Sequence, residues 1–161
     1  MIWFISDTHF GHANIIRYCN RPFASVQEMD ETLVANWNAV VQPDDTVWHL
    51  GDFALAVGDG ILEQYRRRLN GQINLILGNH DRKNHATYKA AGFSIVARSY
   101  TIEQAGQRYF LHHSPWLKGS VSQIPVLHGH VHGQPTGLKR FYDCSVERFA
   151  YQPVRLEEVL A

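Results

Sequence analysis

Apolar residues in this chain come in short runs that stop at aspartate, histidine or glycine. Ile2 to Ser6 leads into Asp7, Thr46 to Leu50 into Gly51-Asp52, and Ile73 to Leu77 into Gly78-Asn79-His80-Asp81. Runs of this length, bounded by turn residues, predict buried strands. Between them the spacing changes. Val26, Met29, Leu33, Trp37, Val40 and Val41 step by three and four, which predicts a helix over Val26 to Val41. Ser25 with Glu28 makes a capping box at its start, and Pro43 closes it. A second helix, about Gly60 to Asn70, turns Ile61, Leu62, Tyr65 and Leu69 inward, with Gly71 suited to its C-terminal cap. A short helix over His85 to Ala91 stops at Gly92.

The second half is richer in strands. Ile95 to Glu103 and Gln107 to His112 read as a pair joined at Ala105-Gly106. Ile124 to Leu127 and Phe141 to Val146 follow, and Pro153 to Leu160 forms a closing strand or short helix. The expected fold is α/β, a single domain over residues 1–161, built as a sandwich of two mixed β-sheets flanked by helices.

Composition narrows the picture. At 161 residues and 45% hydrophobic content the chain can bury its own core. Fifteen basic residues balance fifteen acidic ones, so no extended nucleic-acid surface is expected. Cys19 and Cys144 lie far apart, which argues against a disulfide framework and a cysteine zinc site. No run reaches membrane-spanning length and the start lacks a basic leader, so a cytoplasmic location without membrane association is expected. Ten histidines are many for this length, and most cluster in or beside five motifs.

Those motifs are Asp7-Thr8-His9, Gly51-Asp52, Gly78-Asn79-His80-Asp81, His112-His113-Ser114-Pro115 and Gly129-His130-Val131-His132. Carboxylate, imidazole and amide groups are the donors that hold divalent metals. In extended chain, residues two apart face the same way, so Asp7 and His9 can grip one ion, as can His130 and His132. Gly78 and Gly129 let the backbone turn sharply and approach a metal or phosphate closely.

The five motifs, in this order, resemble the calcineurin-like metallophosphoesterase superfamily, in its small bacterial and phage form. The resemblance implies two divalent metal ions, with manganese favoured and iron, zinc or nickel also suited to the donors. It implies that Asp7 and His9 serve one metal, that Asp52 bridges both, and that Asn79, His113 and His130 bind the second. His132 would return to the first. It further implies in-line attack on phosphorus by a metal-bridging hydroxide, with His80 contacting the phosphate and protonating the leaving group. Asp81 would orient His80 and keep it protonated. Many relatives, including protein Ser/Thr phosphatases, continue the second motif as Gly-Asp-x-x-Asp-Arg. Here Gly51-Asp52 runs into Phe53-Ala54-Leu55, which speaks against a protein phosphatase.

Other polar residues near the motifs are weaker candidates. His12, Arg17 and Arg82 are candidate substrate contacts; Arg21 also lies near a motif and could fork onto a phosphate, with Arg82 the best of these arginines. His113 is favoured over His112 because it directly precedes Ser114-Pro115. His49 reads as a hydrogen-bonded core residue and His128 as a support for the ligands. Trp116 is the tryptophan suited to shaping a substrate pocket, by stacking on a base. The expected activity is a binuclear phosphohydrolase acting on a phosphoester small molecule or nucleotide. The alternatives are a phosphodiesterase for nucleotides or nucleic-acid ends, and a non-catalytic scaffold like the retromer scaffold subunit.

Overall fold

Alternation along the first three strands sends side chains to two different cores. The computed structural model describes residues 1–55, 60–117 and 124–161. Its strand β1 (Ile2–Ile5) is followed by helices α1 (Ala13–Tyr18) and α2 (Val26–Val40), then β2 (Thr46–His49), α3 (Ile61–Arg67), β3 (Gln72–Ile76) and α4 (His85–Ala90). Trp3, Ile5, Val47, Ile73 and Leu75 pack with Met29, Leu33 and Trp37 of α2, Leu62 of α3 and Tyr88 of α4. The opposite parity, Phe4, Trp48 and Ile76, joins a second core with Tyr109, Leu111 and Leu127. The first sheet is therefore covered by helices on one face and by the second sheet on the other.

That first sheet has the order β1-β2-β3-β4, with β4 at Val96–Ala97. Its ladders are all parallel, and an antiparallel bridge from Phe4 to Val154 adds to it. The second sheet runs β5 (Ser99–Gln104), β6 (Gln107–His112), β7 (Val126–His128) and β8 (Phe141–Asp143). Here β5 and β6 are antiparallel, whereas β6-β7 and β7-β8 are parallel. A 3-10 turn at Val146–Arg148 and helix α5 (Leu156–Leu160) complete the order.

The strand expected over Ile95 to Glu103 is in fact two. The carbonyls of Ile95 and Ala97 accept from Leu75 and Leu77, tying this stretch to β3, whereas Ser99 onward pairs with β6. Arg98 is thus the residue at which the chain leaves one sheet for the other. Helix α1 was not expected from the pattern, because it is short and its N-cap, His12, makes no side-chain cap bond. The capping box of α2 is shifted by one: Ser25 Oγ accepts from Glu28 N–H at 3.1 Å, but Glu28 returns to the N–H of Ala24 at 2.7 Å. Both expected forms of the last segment occur, a bridge at Val154 and a helix from Leu156. Among the described residues no helix is long and apolar enough to cross a membrane.

Candidate metal centre

The motifs sit where the strands stop, and the backbone there is bent rather than extended. Asp7, His9, Asp52, His130 and His132 have φ of 60°, 52°, 56°, 73° and 48°. Left-handed backbone at a residue with a side chain costs on the order of 1–3 kcal/mol and persists where surrounding contacts over-determine it. Those contacts are visible. The N–H groups of Asp7, His9 and Phe10 donate to the carbonyls of Gly51, Asp52 and Phe53 at 3.0, 3.0 and 2.9 Å, locking the first two motifs side by side. Asp7 and His9 therefore meet through two left-handed turns around Thr8, not through the extended pairing expected from sequence.

The glycines act mainly by being small. A Cβ on Gly78 would overlap the carboxylate and backbone N–H of Asp52, and one on Gly129 the Ser6 hydroxyl and the Asp7 carboxylate. Neither has positive φ, yet the chain bends directly after each, with Asp81 N–H donating to the Gly78 carbonyl at 3.3 Å; what the missing side chains add is close approach to a carboxylate. Gly51 does both, with φ of 104° and no room beside the His113 ring.

Two groups of donor atoms share Asp7, and Asp52 lies between their imidazoles. Asp7, His9 and His132 bring donor atoms within 4.8 Å of one another, as do Asp7, Asp52 and His113. His9 Nε2 lies 3.5 Å and His113 Nε2 3.4 Å from the same oxygen of Asp52. His132 Nε2 is 3.7 Å from Asp7 Oδ1. On the far side Asn79 Oδ1 sits 3.0 Å from His113 Nε2 and 2.9 Å from His130 Nδ1. Among the described residues the buried His9 Nε2 has no hydrogen-bond partner, an arrangement that costs stability unless something coordinates it. All these donors are oxygen or nitrogen, in the mixture expected for divalent transition metals. The residues present therefore fit a metal centre.

Ring orientation is set by the other nitrogen of each imidazole, as in known metal sites. His113 Nδ1 donates to the Leu50 carbonyl at 2.8 Å, and His132 Nδ1 to Glu147 Oε1 at 2.9 Å. Both leave Nε2 facing inward. Glu147 is in turn bonded by Arg21 Nε at 2.9 Å, and the same guanidinium donates to the carbonyls of Asp7 and Thr8 at 2.6 and 3.0 Å. Asp7 accepts from the Ser145 hydroxyl at 3.1 Å and from the N–H of His130 at 3.0 Å. Thr8 Oγ1 links the core residue His49 at 2.9 Å to the Phe53 carbonyl at 2.7 Å.

Burial and charge pull the titrations apart. Burial drives His9 down to about 2, so its ring is neutral and ready to ligate. Burial also pushes His113 and His132 down, yet neighbouring acceptors win. The bond to Asp52 and the charges of Asp7 and Asp52 hold His113 near about 9. Bonds to Cys19 and Glu147, with the charge of Asp7, hold His132 at about 10. Burial raises Asp7. It opposes ionisation of Asp52 too, but His113, His9 and the N–H of His80 outweigh it and keep that carboxyl well below its usual range.

The structure brings seven of the expected metal-site residues together: Asp7, His9, Asp52, Asn79, His113, His130 and His132. His112 is turned aside, its Nδ1 engaged with the backbone of Ser114. His80 lies at the rim, its ring centroid 5.1 Å from that of His9 and 5.6 Å from that of His12. His12 Nδ1 is 3.1 Å from His9 Nδ1. Arg82 is exposed and its Nε donates to the Asn79 carbonyl at 3.4 Å. Arg17 lies over the Tyr18 ring on exposed α1, apart from the donor cluster.

Asp81 does not take the place expected for it. Its carboxylate accepts from the N–H groups of Asp52, Phe53 and Gly78 at 2.7, 3.1 and 2.8 Å, rather than from the His80 imidazole. Three backbone donors converge on one buried carboxylate because the second and third motifs must be held together, and burial raises that carboxyl to about 6. It positions the Asp52 turn. Arg21, Ser145 and Glu147 were missed as supports; the last two lie beyond the fifth motif, and only the fold brings them back to Asp7 and His132.

Comparison with known proteins agrees with this geometry. The family model for calcineurin-like phosphoesterases matches residues 1–151. The chain belongs to the calcineurin-like phosphoesterase family. It is accordingly a metal-dependent phosphoesterase, as its motifs implied. It is 36% identical to the uncharacterized protein MJ1445 of Methanocaldococcus jannaschii, over 99% of this chain and 89% of that protein. Among solved structures it resembles protein AQ665 of Aquifex aeolicus, of unknown function, with TM-score 0.77 and 28% identity over 99% of this chain and 97% of that one. It also resembles the Pseudomonas putida nuclease MPE, with TM-score 0.56 and 26% identity, covering 81% of this chain and 61% of that one.

Proposed function

We propose that this phosphoesterase works through a binuclear centre in which Asp52 is shared by two divalent metal ions. Asp7, His9 and His132 with Asp52 would hold one ion, and Asn79, His113 and His130 with Asp52 the other. The observation that carries this reading is Asp52 Oδ2, which lies 3.5 Å from His9 Nε2 and 3.4 Å from His113 Nε2. Bound there, such ions supply Lewis acidity that acidifies water and draws charge from phosphoryl oxygens. Manganese is our preferred metal, and iron, zinc and nickel suit the same donors.

The chain's own groups orient the substrate and handle its protons. The N–H of His80 donates to Asp52 Oδ1 at 2.8 Å, which fixes the His80 backbone at the rim. From there its ring N–H reaches a phosphoryl or leaving-group oxygen and hands over the proton the departing alkoxide needs. His12 backs the same side of the site, and Arg82, tethered to the Asn79 carbonyl, offers a second donor at the mouth. Asp7 and His9 are buried, so bulk water does not reach the centre from behind them.

Hydrolysis of p-nitrophenyl phosphate and bis-p-nitrophenyl phosphate tests this reading, using metal-stripped protein reloaded with manganese, nickel, zinc or magnesium. Metal-dependent turnover that disappears in Asp52→Asn supports it. Tight metal binding with no turnover of either ester favours the scaffold alternative. A phosphodiester substrate is the second reading, favoured by the open cavity beside Asn79, His113 and His130. The likeness to a nuclease is consistent with it.

A further inference from the structure

A cavity of about 290 Å³ opens from the donor cluster, walled on the inner side by Asn79, His113 and His130 and on the outer side by Arg98, His112 and Ser114. We propose that Arg98 binds the phosphate next to the scissile one, so that the substrate is a nucleotide strand rather than an isolated phosphoester. This inference rests on the phosphoesterase reading above and names the part of the substrate that the metal centre does not hold.

Arg98 is the crossover residue between the two sheets. Ala97 accepts from Leu77 N–H at 2.8 Å on one side, and Ser99 pairs with His112 on the other. Its backbone is therefore fixed, whereas its side chain is free. It is exposed, and among the described residues its guanidinium makes no hydrogen bond, ion pair or ring contact. Arginines with a structural task in this chain look different. Arg21 is bonded to Asp7, Thr8 and Glu147, and Arg66 to the carbonyls of Leu69, Gly71 and Gly92.

The wall around Arg98 suits an anion. Among the described residues no carboxylate lines the cavity, and the guanidinium is the permanent charge on its wall. The planar fork of arginine matches two phosphate oxygens at once. A flat apolar face stands close by: Trp116 is 60% exposed, and its backbone N–H is held on Ser114 Oγ at 3.2 Å. An exposed indole two residues from the cavity wall can stack any base. A balanced overall charge is compatible with this, because one strand needs one local cation and no broad basic face.

The test is calorimetric binding to manganese-loaded protein of thymidine 5′-monophosphate, thymidine 3′,5′-bisphosphate and thymidine 5′-diphosphate. Wild type is expected to bind the 3′,5′-bisphosphate about tenfold tighter than the monophosphate. Arg98→Ala removes that preference, leaves the monophosphate within about twofold, and lessens the salt dependence of bisphosphate binding. Arg98→Lys restores part of both, which a merely structural role would not do. Equal affinity for mono- and bisphosphate in wild type, or a preference that survives Arg98→Ala, overturns the proposal. A preference for the 5′-diphosphate overturns the strand assignment. Arg98-dependent binding with no hydrolysis of any ester would sink the catalytic reading while leaving Arg98 a phosphate ligand.

Discussion

Loading the centre with metal should expel protons, because the metal-free site stores them on imidazoles that must ligate. His113 and His132 are held at about 9 and about 10, so both are protonated at neutral pH. His9, at about 2, is not. A ligating imidazole is neutral, so on the proposed assignment each ion displaces one proton, His132 for the first and His113 for the second. At pH 7 the displacement costs about 3 kcal/mol at His113 and about 4 kcal/mol at His132, from about 1.4 kcal/mol per pH unit. The apparent affinity for each ion therefore rises about tenfold per pH unit between pH 6 and 8. In the metal-free fold the sign is opposite. Both raised histidines contribute stability that is fully present below 6.5 and is lost as pH rises through about 9 and about 10. Calorimetric titration with manganese at pH 7, in two buffers of different ionisation enthalpy, counts the protons. About two per chain are expected, with any further one coming from acidified water. Glu147→Gln, which removes the acceptor charge on His132 Nδ1, lowers the count. A pH-independent affinity with no proton release would refute the reasoning.

Three further outcomes follow from single contacts. Asp81→Ala strands three buried backbone N–H groups and should destabilise the fold by about 3 kcal/mol or more, read as a lowered urea midpoint; an unchanged midpoint would remove Asp81 from its positioning role. Gly129→Ala drives a methyl group into the Ser6 hydroxyl and the Asp7 carboxylate, so metal content measured by plasma mass spectrometry should fall while the protein remains folded by circular dichroism. His80→Ala should keep its metal but lose roughly 10²–10⁴-fold in turnover of alkyl phosphate esters, and much less with p-nitrophenyl leaving groups that need no proton. Equal losses on both would contradict proton donation from His80.

Much of this architecture is legible along the chain, because each buried strand ends at a polar motif and each long helix carries a cap. Val26–Val40 shows the 3.6-residue spacing and a serine cap, and the structure forms a helix there. Helix α1 was hidden because six residues with one buried side chain leave no periodicity to read. The break at Arg98 was hidden because both halves have strand-like residues, and only the pairing of Val96–Ala97 with β3 and Ser99 with β6 divides them. At the metal centre the donor types and order are visible in the motifs. The left-handed backbone at Asp7, His9, Asp52, His130 and His132 is not, since nothing in those residue types demands it. The link between Glu147 and Arg21 was invisible for a different reason: they meet across 126 positions of sequence and neither sits in a motif, so Arg21 reads from sequence as a phosphate contact rather than a support.

The central claim is that two ions share Asp52. Anomalous diffraction from crystals of the manganese-loaded protein tests it most directly, with data collected at the manganese edge. Two peaks about 3.5–4 Å apart are expected, one within bonding reach of Asp7, His9 and His132 and the other of Asn79, His113 and His130, with Asp52 between them. A single peak, or two peaks that do not share Asp52, would contradict the account.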